Sequence, residues 1–335
     1  MKAIGYQQSL PAEDERALQD ITLEIPVASG RDILVEVRAI AVNPVDYKIR
    51  QLMQPEAGEW KVLGWDAAGV VKAVGEEVTH FKVGDEVWYA GDLTRAGSYA
   101  QYQLVDERIV GRKPAQLSFS DSAALPLTSL TAWELLFDRM QVAKADPSKS
   151  ILVIGAAGGV GSIMVQLLKQ LTQLQIIGTA SRGETESWLK TLGVDHVINH
   201  RNKLSAELAQ QNLSEPDYIV SLNATEQHLE EIIKVIKPQG KFGFIDDPST
   251  LDVMPFKQKA VSTHIELMFT RSMFQTPDMI EQQHILNRVA DLIDQGVIKT
   301  TVGEHLGMIN AENLRRAHQV LESGSAKGKM VLEGF

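Results

Sequence analysis

The chain has 335 residues, of which 44% are hydrophobic and 23% charged, a composition typical of globular proteins. Its length exceeds what one compact core usually holds, so we expect two domains. The formal net charge of -10 and the scattered basic residues argue against a broad phosphate-binding surface, and we expect no nucleic-acid partner. The absence of cysteine excludes disulfides, thiolate catalysis and every cysteine-containing zinc site.

The hydrophobic stretches of the chain are strand-sized. None is long enough to cross a bilayer, and the first twenty residues lack the apolar centre of a signal peptide. We therefore expect no membrane partner and a cytoplasmic location.

The first part of the chain, to about residue 120, is rich in predicted strands. Short β-branched or alternating runs, separated by Gly and Gly-Asp turns, are typical of a small β-barrel. The predicted strands cover residues 33–42, 64–75, 83–90 and 98–105.

From about residue 121 strands alternate with helices. Asp121 is the expected N-cap of a helix that Pro126 interrupts, and a second helix is predicted over 130–137. Predicted strands then cover 151–154, 175–180, 196–199, 218–222 and 240–245, with helices at 160–171, 184–192, 203–211 and 226–236 between them. This alternation predicts right-handed βαβ units and a parallel sheet. Helices over 278–296 and 310–323 and a strand over 328–333 complete the chain.

The strongest motif is the glycine-rich run at residues 155–162, between a predicted strand and a predicted helix. Gly158 lets the backbone approach a pyrophosphate, and Gly161 lets the helix pack against the strand. The helix that starts near Gly159 and Val160 directs free N–H groups at the phosphates. A glycine-rich turn without a ligand is the alternative, but the flanking elements favour a dinucleotide site.

The second strand of this unit ends at a polar pair about 20 residues beyond the glycines. Enzymes that prefer NAD place a carboxylate there, for the ribose 2′-hydroxyl. This chain instead has Ser181 and Arg182, and arginine is a bidentate partner of phosphate. His200, after the next strand, could approach the same phosphate. The pattern predicts NADPH as the cofactor, although Arg182 could be a solvated loop residue and His200 could be unrelated to the site.

Taken together, these motifs resemble the medium-chain dehydrogenase/reductase superfamily, and within it the quinone oxidoreductase branch. The resemblance covers nearly the whole chain and rests on residues 41–50, 64–69, 83–85, 130–133, 155–162 and 328–332. It implies an α/β fold, a doubly wound parallel Rossmann sheet with a β-rich GroES-like barrel domain. The expected domains are a catalytic domain at 1–121, an NADP-binding domain at 122–270 and a return segment at 271–335. It also implies a homodimer joined through edge strands near residues 242–246.

Zinc enzymes of this family bind the metal through cysteine and a Gly-His-Glu motif. Here the first position is Asn43, and the motif is Gly64-Trp65-Asp66. An amide and an indole do not supply the three protein ligands that zinc requires, so we expect no metal.

Without a Lewis acid, reduction of an activated acceptor is easier than oxidation of an alcohol. The resemblance places residues 43–50 at the substrate site, where Asn43 could donate to a developing oxyanion and Tyr47 or Lys48 could donate a proton. Asp46 is expected to be structural. Trp65 could form an aromatic wall for a flat substrate, although Asn43 could simply cap a turn and Trp65 could belong to the core.

Two further residues follow from the resemblance. Thr131, expected at the start of a linking helix, corresponds to a position beside the nicotinamide, although its hydroxyl could serve only that helix. The run over 265–274, which includes Phe269, is expected to line the substrate cleft.

The expected activity is therefore NADPH-dependent reduction of a quinone or an enone. An NADP-dependent alcohol or aldehyde oxidoreductase with a proton relay, and a non-catalytic NADPH-binding protein, are the alternatives.

Overall fold

A computed structural model describes all residues, 1–335, and they form two compact units. Unit 1 comprises Met1–Leu130 and Phe269–Phe335, and unit 2 comprises Thr131–Met268. No helix combines the length and the hydropathy that crossing a membrane would require.

The chain contains sixteen strands and ten α-helices. Strands β1 to β16 are Lys2–Tyr6, Gln19–Thr22, Asp32–Val42, Lys61–Val62, Ala67–Val74, Glu86–Tyr89, Tyr102–Asp106, Val110–Arg112, Ser150–Ile154, Gln175–Thr179, His196–Ile198, Tyr218–Ser221, Lys241–Phe244, Ser262–Ile265, Val302–His305 and Lys329–Glu333. Helices α1 to α10 are Pro44–Leu52, Phe119–Ala123, Pro126–Trp133, Gly159–Leu171, Gly183–Thr191, Leu204–Gln210, Thr225–Val235, Thr270–Met273, Glu281–Asp294 and Ala311–Glu322. Short 3₁₀ turns cover Glu15–Ala17, Glu107–Ile109 and Met254–Lys259, and a π-helical segment covers Glu134–Arg139.

Unit 1 is built from two sheets, which confirms the predicted β-rich domain. One has the order β2-β1-β4; the other has the order β15-β16-β3-β5-β6-β8, with β7 paired to β3. The long strand β3 joins the larger sheet together, because it pairs antiparallel with β5 over residues 33–40, with β7 over 32–36 and with β16 over 39–42. Through β16, residues near the end of the sequence lie beside the strand that leads into α1.

Unit 2 is a six-stranded sheet in the order β11-β10-β9-β12-β13-β14, in which every pair is parallel. The parallel pairing is what the alternating pattern predicted, and the order is the doubly wound Rossmann arrangement that the resemblance implied. The first strand, β9, is buried along its whole length, as expected of a central parallel strand. Strand order reverses beside it, so the carboxyl end of β9 is the point where such sheets bind ligands.

The edge of this sheet differs from the expectation. Residues 242–246 were predicted to lie on an edge, but β13 is paired on both sides, with β12 and β14. The prediction was wrong because the sequence analysis missed β14, Ser262–Ile265, a four-residue strand that follows a 3₁₀ turn and alternates only weakly. The edges of the sheet are β11 and β14.

The segment between residues 118 and 133 also differs from its prediction. The N-cap of α2 is Ser118, whose Oγ accepts from the Asp121 N–H at 3.1 Å, so Asp121 lies in the first turn instead of capping it. Pro126 does interrupt the helix, and it begins α3. Thr131 is consequently near the carboxyl end of α3 and not at its start.

Candidate functional site

The glycine-rich loop of unit 2 connects β9 to α4. Gly155 has a φ of +79°, and a Cβ there would lie 2.5 Å from Asn223 Oδ1, so both conformation and packing require glycine. At Gly161 a Cβ would lie 2.4 Å from the carbonyl oxygen of Ala156, so the helix approaches the loop that follows β9, whereas close packing against the strand itself was predicted.

Gly158 has no such internal reason to be glycine. It is the N-cap of α4, and the nearest atom to an added Cβ would be Gly155 O at 3.4 Å, an ordinary contact. Gly159 and Val160 form the first turn of this thirteen-residue helix, and all three residues are half-buried. The loop thus leaves backbone open at a helix amino terminus, which is what a pyrophosphate needs.

The predicted phosphate-binding residues lie at the carboxyl ends of the neighbouring strands. Half-buried Ser181 and exposed Arg182 follow β10, and Arg182 is the N-cap of α5. His200 follows β11 and is close enough to Arg182 for that charge to help lower the His200 pKa, after burial, His228 and Arg201. The structure therefore brings Arg182 and His200 into one neighbourhood.

A cavity of about 520 Å³ opens at the same edge of the sheet. It is lined by Ile154, the last residue of β9, and by His200, Asn223, Ala224 and His228, among others. Since Gly155 follows Ile154 directly and packs against Asn223, the cavity adjoins the glycine loop. Sequence analysis did not single out His228 or Asn223, because neither belongs to a motif with fixed spacing.

Unit 1 contains a buried polar cluster around Asn43, the N-cap of α1. Asn43 Nδ2 donates to Asp66 Oδ2 at 2.8 Å, and Lys329 Nζ donates to Asp66 Oδ2 at 2.9 Å and to Asn43 Oδ1. A third bond joins Lys329 Nζ to Val42 O at 3.1 Å, so the ammonium group has three acceptors. The other Asp66 oxygen accepts from the Leu127 N–H at 2.8 Å.

Every charged member of this cluster is withdrawn from solvent. The side chains of Lys329 and Asp66 are 4% and 0% exposed, and burial raises the pKa of Asp66 while Lys329 opposes that rise. A buried carboxylate is tolerated here because a cation and two N–H donors contact it. Lys329 was missed by the sequence analysis; its signal is a buried lysine that begins the final strand, before three apolar residues.

A second buried network begins at Asp46, on the first turn of α1. Asp46 Oδ2 accepts from the Asn43 N–H at 2.7 Å and from the Tyr99 hydroxyl at 2.9 Å. Tyr99 Oη lies 3.3 Å from His318 Nε2, and Arg50 Nε donates to His318 Nδ1. Arg50 also donates to Glu322 and to the Leu10 carbonyl. Asp46 is thus buried and hydrogen-bonded, as predicted.

The remaining predicted substrate-site residues differ in accessibility. Tyr47 and Lys48 are half-buried on α1, whereas Asn43 is 1% exposed. Trp65 is also buried, donates its indole N–H to Asp92 O at 3.0 Å, and meets Phe269 edge-to-face with ring centroids 6.3 Å apart. These contacts favour the core alternative for Trp65.

Thr131, the residue expected beside the nicotinamide, is a buried residue of unit 2. Its role stays a prediction.

The residues at the family's metal position do not fit zinc. No three His, Cys, Asp or Glu side chains of the structure are grouped so that they could hold a metal ion. Asn43 and Asp66 instead share the ammonium group of Lys329, which already supplies the positive charge between them. A zinc ion there would lie against a cation and would have one carboxylate and one amide oxygen as ligands.

Two family models match the chain. An alcohol dehydrogenase GroES-like domain matches residues 29–115, and a zinc-binding dehydrogenase domain matches residues 192–332. A zinc-type alcohol dehydrogenase-like protein of Staphylococcus epidermidis is 37% identical over 99% of both chains. The 2-methylene-furan-3-one reductase of Solanum lycopersicum is 31% identical over 92% of this chain and 73% of its own length.

Solved structures agree with the fold. A protein of Rhizobium etli, provisionally assigned as a zinc-dependent alcohol dehydrogenase, has a TM-score of 0.97 and 54% identity, covering 100% of this chain and 98% of its own. A quinone oxidoreductase of Escherichia coli, solved with NADPH, has a TM-score of 0.83 and 24% identity over the full length of both chains, a likeness that concerns the fold.

Proposed function

Because this chain belongs to the medium-chain dehydrogenase/reductase superfamily, we propose that it is an NADPH-dependent, zinc-independent oxidoreductase that reduces quinones or α,β-unsaturated carbonyls. The observation that carries the proposal is the buried contact of Lys329 with Asn43 and Asp66, at the position where relatives bind a metal. An activated acceptor is the substrate class that needs no metal to polarise it.

The open backbone at Gly158 supports the proposed cofactor site. There the first turn of α4, with Gly159 and Val160, would hold the pyrophosphate through N–H groups. Ser181, Arg182 and His200 would bind the 2′-phosphate, and Thr131 would lie beside the nicotinamide. When bound, the reduced nicotinamide supplies a hydride.

Asn43 would act through the one amide hydrogen that its neighbours leave unused. Its oxygen accepts from Lys329 and one Nδ2 hydrogen donates to Asp66, so the orientation of the amide is fixed. The second hydrogen is the proposed donor to an oxyanion, and with Asn43 only 1% exposed a substrate oxygen reaches it only after a local side-chain movement.

Tyr47 and Lys48 are the proposed proton donors, because they lie one turn along α1 and are half-buried. Trp65 and Phe269 are both buried, so their edge-to-face pair would support the apolar side of the substrate site from the core. In this arrangement the protein mainly binds, orients and excludes water.

Turnover tests the proposal directly. Purified protein is mixed with NADPH and 9,10-phenanthrenequinone, and separately with an enone, while absorbance of the reduced cofactor is followed. We expect NADPH oxidation with at least one acceptor, unchanged after dialysis against a metal chelator. NADPH binding without turnover would favour a non-catalytic binding protein, and alcohol oxidation at alkaline pH would favour the alcohol dehydrogenase alternative.

The same proposal includes a homodimer, and the proposed contact between its two copies is β14. This edge strand leaves main-chain groups unpaired on one side, and Ile265 and Leu267 are 65% and 49% exposed. Light scattering should give twice the chain mass of 36.9 kDa for the wild type and a lower mass for Ile265→Lys. A wild-type monomer at micromolar concentration would contradict the dimer.

A further inference from the structure

We propose that His200 and His228 form a histidine pair that makes recognition of the 2′-phosphate dependent on pH. The inference rests on the proposed function, because it concerns the same cofactor. It adds His228 to the proposed cofactor site and makes binding of the cofactor depend on pH.

The two imidazoles contact each other at the cavity beside the glycine loop. Their ring centroids are 6.2 Å apart and their planes are inclined by 80°, an edge-to-face arrangement. His200 follows β11, whereas His228 lies on α7, which follows β12. The carboxyl ends of β11 and β12, which lie on opposite sides of β9 in the strand order, therefore lead to one imidazole each in the same cavity.

One nitrogen of the pair has no partner in the protein. His200 Nδ1 is buried and makes no hydrogen bond, which costs free energy for a polar atom. A neutral imidazole offers one donor, whereas a protonated imidazole offers two. An anion at the pair would therefore be bound more strongly by the protonated ring, both through charge and through the additional donor.

The charges around the pair favour an anion. Burial lowers the pKa of His200, and the charges of His228, Arg201 and Arg182 lower it further. Lys203 lines the cavity with Arg201. Burial also lowers the pKa of His228, so the neutral form of both imidazoles is favoured in the free protein while cationic side chains surround them.

Two acidic side chains also face the pair, and both are already engaged. Glu231 lines the cavity but accepts from the Ser205 N–H at 2.8 Å. Asp246 opposes the burial that lowers the pKa of His228, and it accepts from the Thr225 N–H at 2.9 Å and from the Thr225 hydroxyl. Neither carboxylate ion-pairs with the imidazoles, so a phosphate has no strong internal competitor.

The sign of the pH effect follows from linkage. The phosphate dianion stabilises the imidazolium form, so its binding raises the pKa of the pair and takes up protons. Affinity for NADPH should then fall as pH rises, whereas NADH lacks the phosphate and should bind almost independently of pH.

Calorimetric titration of the whole protein with NADPH and with NADH, at pH 6.5, 7.5 and 8.5 and in two buffers of different ionisation enthalpy, tests the pair. We expect the NADPH dissociation constant to rise about tenfold over this range and that of NADH by less than about twofold, with net proton uptake for NADPH only. His200→Asn and His228→Asn should each reduce both the proton uptake and the pH dependence. His196→Asn, at the amino end of β11, is the matched control and should change neither.

The outcomes separate the pair from the proposed function. NADPH binding without proton uptake in the wild type, or with full uptake in both variants, would overturn the histidine pair alone. Absence of NADPH binding at every pH would overturn the proposed function and the pair together. Retained NADH affinity shows that a variant is folded. Proton uptake is also measured on the wild type, so the test holds even where a variant does not fold.

Discussion

Arg50 Nε donates a hydrogen bond to His318 Nδ1 across 3.2 Å, and this contact fixes the tautomer of a fully buried histidine. Because Nδ1 accepts, the ring proton of neutral His318 is on Nε2 and points at the Tyr99 oxygen, 3.3 Å away. The Tyr99 hydroxyl can then donate to Asp46. The hydrogen bonds from Arg50 through His318 and Tyr99 consequently all run toward Asp46.

The surroundings of His318 predict how acid affects the stability of the protein. Burial and the Arg50 charge lower its folded pKa from 6.5 to about 3, so the stability it contributes is present above pH 6.5 and lost as pH falls toward 3. Between pH 7.5 and 5 the loss is about 2 kcal/mol, because the unfolded histidine binds a proton and the folded one does not.

Urea unfolding of His318→Gln at these two pH values checks this expectation. Glutamine can accept from Arg50 and donate to Tyr99, so the variant should lose less stability on acidification than the wild type. His284→Gln, which changes an exposed histidine, is the control. Equal losses in the wild type and in His318→Gln would show that His318 does not titrate as described.

Asp46 is expected to respond to pH in the opposite direction. Burial raises its folded pKa from 3.8 to about 7, against hydrogen bonds from Asn43 and Tyr99, so its contribution is present below pH 4 and is lost as pH rises through 7. Asp46→Asn keeps an acceptor for both donors but cannot ionise. As pH rises from 5 to 8, the unfolding free energy of the variant should therefore increase by on the order of 2–3 kcal/mol relative to that of the wild type, measured by chemical denaturation. A constant difference across that range would refute the raised pKa.

Removal of the Lys329 ammonium should be strongly destabilising. Lys329→Met leaves the buried carboxylate of Asp66 without its cation, a change that typically costs about 3–5 kcal/mol. In the double variant with Asp66→Asn the unpaired charge is gone, so part of the loss should be recovered. Denaturation of the wild type, both single variants and the double variant gives the coupling energy, and a value near zero would mean that the contact is not energetically important.

Two glycines of the same loop should respond differently to alanine. Gly161→Ala places a Cβ 2.4 Å from a backbone oxygen and should lower the unfolding free energy by about 1–3 kcal/mol. Gly158→Ala makes no such contact, so stability should stay near that of the wild type while NADPH affinity falls. Unchanged NADPH affinity in folded Gly158→Ala would argue that the loop does not approach a pyrophosphate.

Local patterns predicted the elements of unit 2 well, because parallel strands are buried apolar runs and each is separated from the next by a helix. Strand β14 was the exception, since an exposed four-residue edge strand has little apolar pattern to detect. Roles could be assigned to the glycines of the loop because the loop residues that contact one another lie within seven positions of the sequence.

The polar networks of unit 1 could not be predicted in the same way. Asn43 was recognised, but its partner Lys329 is 286 positions away, and Tyr99 is 219 positions from His318. Which side chains meet across such distances depends on how β16 and α10 return to unit 1. Lys329 belongs to the recognised run 328–332, but no local signal pairs it with Asn43 or pairs His318 with Tyr99.

The division of unit 1 into two sequence segments has a consequence for biosynthesis. Residues 131–268 are continuous in sequence, whereas β3 lacks its partner β16, and Asp66 its cation Lys329, until the end of the chain has been made. A nascent chain therefore carries an incomplete sheet through the synthesis of an entire second unit, and chaperones would be expected to bind that first segment.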